Sequence, residues 1–149
     1  DNHNHTVVSM ATLALKLQIL WIYIDAGVGK YSDPLGGWTY HANPLPALDT
    51  YVRHTLGGQY LYAILGSHGL RLLTPTVVWA EIGCVPMAFW GLIMGWDGLV
   101  KCVAALMVSL HLGIAITLRN TVLLSLVACS SWMVFLPFAS SAPTTKPYV

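Results

Sequence analysis

An all-α integral membrane bundle of about four transmembrane helices, joined by one long interfacial loop, is the fold class this sequence predicts. Three observations predict it. Charged residues make up only 9% of the chain, and apolar types make up 56%. A soluble domain carries about 25% charge, so this chain cannot cover a water-facing surface. Four apolar runs qualify as bilayer spans, each of which takes about 20 residues as a helix. No strand alternation or internal repeat accompanies them, and the runs are too long for barrel strands.

The first span is expected over residues 6–28 and includes LQILWIYID. The second is expected over 72–96 and includes TPTVVWAEIGCVPMAFWGLIMGW. The third, over 98–118, follows a tight connection at Asp97. The fourth, over 121–138, follows a turn at Arg119 and Asn120. Residues 29–71 form the expected interfacial loop. Gly36, Gly37, Pro34, Pro44 and Pro46 break helix there, and Gly57-Gly58 is expected to interrupt the tyrosine-rich part that follows. Tyrosine suits the bilayer interface, where a ring with a polar tip settles. Residues 139–149 read as a polar tail. The chain opens at Asp1 and is expected to be an excerpt of a longer protein, so residues 1–138 are a partial membrane domain.

The formal net charge is +1, which implies neither a nucleic acid nor an acidic partner. The expected partners are the lipid bilayer and the remaining helices of the full-length domain. Cys84, Cys102 and Cys129 all lie in apolar runs without a CxxC pair and read as small hydrophobes. Lys30, Arg53, Arg71 and Arg119 fall on one side of the membrane, Lys101 and Lys146 on the other. The positive-inside rule puts the Lys30 side in the cytoplasm by a narrow margin.

Ionisable groups within spans are expensive, so each is a functional hypothesis. Glu81 sits near the middle of the second span and needs either a proton or a cation such as Lys30. The plainer reading is an interhelical hydrogen bond that fixes packing. His111, in the third span, can bond across to another helix or serve an active site. No second His, Cys or carboxylate stands at metal-ligand spacing, so no metal is expected. Lys30 closes the first span after Ala26-Gly27-Val28-Gly29. It reads either as a snorkelling anchor or as a desolvated amine, available as a base. Gln18 and Asp25 are seven residues apart and share one helix face, where both suit structural polar roles.

The string from Gln18 through Tyr23, Ala26 and Gly27 to Lys30 resembles the signature Q-x4-Y-x2-(A/S)-G-x2-K. That signature marks the horizontally transferred transmembrane (HTTM) domain, the membrane part of vitamin K-dependent gamma-carboxylases. LLTPTVVWAEIGCVP is similar to the family's span with an acidic residue followed by proline. VSLHLGIAITLRNTVLLSLVACSSWMVFLP is similar to its closing helix pair, and GGWTYHANPL to its tryptophan-containing turn. The resemblance covers residues 16–137. It implies that Lys30 maps onto the base that oxygenates reduced vitamin K, with a strong base then deprotonating a glutamate side chain for carboxylation. His111 and Glu81 map onto family positions whose roles are unassigned. The carboxylases carry a second lysine where this chain has Gly29, and they have earlier helices and a large luminal domain beyond this region. The isolated chain is therefore expected to be a non-catalytic HTTM-type membrane protein. The alternatives are half of an active carboxylase-like lyase, using reduced vitamin K as quinol cofactor, and a small proton-coupled transporter with Glu81 and His111 as relay.

Overall fold

The computed structural model describes residues 10–34, 36–39 and 47–135. The described chain is all helical. Helix α1 runs Met10–Tyr31, α2 Ala47–Tyr51, α3 Leu56–Met94, α4 Asp97–Thr117 and α5 Val122–Met133. A short 3-10 turn, Val52–His54, joins α2 to α3. Three helices, α1, α3 and α4, are long and apolar enough to cross a membrane. Large apolar side chains such as Trp21, Ile64, Trp90 and Leu123 stand exposed around them. Helices apolar on all sides suit lipid as the surrounding solvent.

The fourth expected span is shorter than the sequence suggests. Helix α5 has 12 residues, or about 18 Å at helical rise, against a hydrocarbon core of about 30 Å. Residues 136–138 of that expected span, residues 6–9 of the first, and the tail lie outside the described residues.

The expected loop over 29–71 also needs correction. Helix α1 continues through Lys30, α2 and the 3-10 turn follow, and α3 begins at Leu56 and extends for 39 residues. Gly57-Gly58 does not interrupt it. A Cβ on Gly58 would meet the Thr117 carbonyl oxygen at 2.7 Å and also collide with the Val52 carbonyl, so glycine here permits close approach. The break falls instead at Gly66, whose φ of 62° lies in the left-handed region. Thr55 fastens this junction. Its hydroxyl accepts from the Gly58 amide at 2.9 Å, capping α3, and donates to the Thr117 carbonyl at 2.6 Å at the end of α4.

The tight connections form where expected. Gly95, with φ 66°, ends α3, and the Trp96 amide bonds back to the Gly91 carbonyl at 2.8 Å. Asn120, also at φ 62°, turns the chain between α4 and α5. The main core is built by α1, α3, α4 and α5, with Tyr23, Cys84, Ala88, Met107 and Trp132 buried in it. A second cluster, Leu48, Val52, Leu70 and Val77, ties α2 and the 3-10 turn against α3.

Candidate functional site

One face of α1 builds the site. Ile19, Ile22, Tyr23, Ala26 and Lys30 recur at helical spacing and all line one cavity. The cavity measures about 440 Å³ and is walled by α1, α3, α4 and α5, with Trp38 and Leu48 from the connection. Its exposed lining is mostly apolar, although several polar side chains border it. That is the composition of a small-molecule site.

Lys30 occupies the last turn of α1, where a cation complements the helix dipole. Its Nζ contacts both oxygens of Glu81, at 2.6 Å to Oε1 and 2.5 Å to Oε2. Gly27 sets the approach. It is buried one turn before Lys30, and a Cβ there would lie 2.5 Å from Cγ1 of Ile82, the residue after Glu81. The run Ala26-Gly27-Val28-Gly29 is helical, and within it Gly27 is the residue that lets α1 and α3 close. The Trp38 ring lies 5.3 Å from the Lys30 ammonium, within cation–π range. The Lys30 side chain keeps 26% exposure, while Glu81 keeps 4%. The carboxylate is thus the committed buried member, and the amine faces the cavity.

Seven residues before Lys30, Tyr23 points to the same side of α1. Its hydroxyl meets His111 Nε2 at 2.6 Å, and its ring packs against Trp132 at 5.4 Å between centroids. The phenol donates when Nε2 is the unprotonated nitrogen of a neutral imidazole, leaving the Nδ1 proton on the other side. Two proton-bearing contacts, one ionic and one neutral, therefore border the same apolar space.

Of the residues singled out in the sequence, Lys30, Glu81 and His111 come together at the cavity. Gln18 and Asp25 do not join them and stand exposed on α1. Among the described residues, no three His, Cys, Asp or Glu side chains group to hold a metal ion. Sequence reasoning gave no site role to Tyr23, although it stands in the signature string two helical turns before Lys30. It also passed over Ser125, a lone hydroxyl in the apolar run of α5. Ser125 is 1% exposed and lines the cavity. A serine in an apolar helix gives no signal on its own, because its hydroxyl usually bonds to its own helix.

No protein-family model, curated protein or solved structure matches this chain. The HTTM resemblance rests on the quoted motifs alone.

Proposed function

We propose that this chain is the site-bearing part of an HTTM-type multi-pass membrane protein that binds a neutral, lipid-soluble small molecule between α1, α3, α4 and α5. One observation carries the reading. Lys30, Glu81 and His111 are up to 81 residues apart in sequence, and each maps onto a motif of the resemblance, yet all three line a single cavity. The Lys30–Glu81 pair is internally neutral, so the cavity presents no net charge to draw in an ion. The same pair keeps a proton on or between its partners, which fits a chain that binds without doing chemistry alone.

The test is photolabelling of the reconstituted chain with an alkyl diazirine. Labels are expected on cavity-wall residues such as Val77 and Ile114, and are expected to disappear from them in Ala128→Phe, which fills the space. Labels confined to outward residues such as Trp21 and Leu123 would contradict the reading.

A second reading, favoured by the partial exposure of Lys30 toward the cavity, makes it the base of a carboxylase-like full-length protein. A proton passed from Lys30 to Glu81, already in contact, frees the amine without moving either chain. Quinol-dependent activity of the full-length protein would then be lost in both Lys30→Ala and Lys30→Arg, because a guanidinium stays protonated. Activity retained in Lys30→Arg would remove Lys30 as the base.

A further inference from the structure

Two polar side chains of α1 stand where lipid would meet them. Gln18 and Asp25 are exposed, and they lie about 4 Å and about 7 Å from the midpoint of the helix at a rise of about 1.5 Å per residue. A hydrocarbon core about 30 Å thick covers both depths. Exposed hydroxyls elsewhere in the spans are satisfied within their own helices: Thr76, Ser109, Thr117 and Ser130 each donate to the carbonyl four residues back. Gln18 and Asp25 differ. Among the described residues, no hydrogen bond or ion pair engages either side chain. A charged group within a span is costly, and such groups ordinarily face a partner and not lipid.

The cations nearest on α1 are committed elsewhere. Lys30 holds Glu81, and Lys16 lies over the Phe135 ring at 5.7 Å. Gln18 and Asp25 share their face of α1 with Ala14, one turn before Gln18, and Gly29, one turn after Asp25, and all four are exposed. This face is turned about a third of the way around the helix from the one that lines the cavity. A Cβ added to Gly29 would meet nothing within 4 Å. Small residues flanking polar ones are the pattern by which a second helix approaches closely in a membrane.

The charge says what that helix carries. A second copy of this chain would lie in the membrane in the same orientation. A two-fold dimer on this face would set Asp25 beside Asp25, like against like. A helix with a basic side chain supplies the missing countercharge instead. We infer that this face of α1 docks a partner transmembrane helix that carries a lysine or arginine at the depth of Asp25, with Gln18 as a second hydrogen-bonding point. The inference does not depend on what the cavity binds.

The experiment measures energy transfer in phosphatidylcholine vesicles from the donor-labelled full chain to acceptor-labelled leucine–alanine helices of about 20 residues, long enough to span. One helix carries a single lysine near its centre, and the other carries leucine in its place. The parent is expected to bind the lysine helix about 5- to 30-fold more tightly, the range that interhelical hydrogen bonds supply in model peptides. Asp25→Asn should bind the two helices alike. Asp25→Lys should prefer a helix with a single glutamate, which separates a lost countercharge from a damaged fold, since a damaged chain prefers neither. Equal binding of the lysine and leucine helices by the parent overturns the inference, as does an undiminished lysine preference in Asp25→Asn. Self-association stronger in the parent than in Asp25→Asn assigns the face to a second copy and overturns it too.

Discussion

Among the described residues, two ion pairs secure buried carboxylates, and they are built in opposite ways. Asp49 is met within its own turn. Arg53, four residues on, donates to Oδ1 from Nε at 3.0 Å and from its terminal nitrogen at 2.7 Å, and Ser67 donates to Oδ2 at 2.7 Å. The guanidinium also lies over the Tyr62 ring at 4.6 Å. Glu81 draws its partner from another helix, 51 residues away, and meets a single cation. A carboxylate offers about four acceptor sites. Asp49 fills most of its sites with separate donors, whereas Glu81 depends on Lys30. The first arrangement is a strut for the elbow between α2 and α3. The second sets an ion pair at the edge of a cavity. A pair kept for structure is buttressed by a second donor residue; at the candidate site Glu81 has one donor residue, Lys30.

Removing the single cation should therefore have the largest effect. Lys30→Met leaves Glu81 buried without a partner and is expected to cost about 3–5 kcal/mol in unfolding experiments in detergent. Lys30→Met combined with Glu81→Met should return to within about 1 kcal/mol of the parent, since replacing a whole buried pair by apolar residues is often neutral. Arg53→Met should do less harm to the elbow, because Ser67 still donates to Asp49. A larger loss in Arg53→Met than in Lys30→Met would break the contrast between the two pairs.

The neutral pair on the same cavity sharpens the point. Tyr23→Phe keeps the ring against Trp132 but leaves His111 Nε2 without its hydroxyl. The expected cost is about 1–3 kcal/mol, less than for the ionic pair because no charge is stranded. If Tyr23→Phe proves as costly as Lys30→Met, charge is not what distinguishes the two contacts.

The sequence made much of this visible. Hydropathy depends on composition along the chain, so the long apolar helices α1, α3 and α4 stand out directly. Desolvation cost marks a mid-span carboxylate as needing a cation, and that argument points to Lys30. What failed was local. Gly57-Gly58 reads as a helix break because glycine is flexible, but its smallness matters here, for contact with α4 that no single-chain pattern reports. Gly66, the true break, looks like any other glycine. The length of α5 was overestimated because an apolar run sets an upper bound on a helix and not its end. Within the site, Lys30, Glu81 and His111 are chemically conspicuous. Tyr23 and Ser125 are ordinary residue types in apolar helices, and only tertiary placement gives them meaning.

The smallest expected effect lies at the elbow and is read through pH. Burial pushes the Asp49 carboxyl up, but the Ser67 hydroxyl and the Arg53 guanidinium together hold it below its ordinary value of 3.8. A carboxyl lowered in the folded state binds its proton more weakly there than in the unfolded chain. Its contribution to stability is thus complete above the ordinary value and is lost as pH falls through the lower folded value. Unfolding of parent and Asp49→Asn, compared at each pH between about 6 and 2, isolates this group from other acids. The difference between them should be constant near neutrality and shrink only below the ordinary Asp value. Ser67→Ala removes one of the donors that lower the carboxyl. It should cost about 0.5–1.5 kcal/mol at neutral pH, and the acid loss should start at the same pH but be complete at a higher one, because only the folded value moves up. Should the parent and Asp49→Asn differ by the same amount across the whole range, the Asp49 proton is not linked to folding. The elbow would then owe its stability to the apolar contacts of Leu48 and Val52 alone.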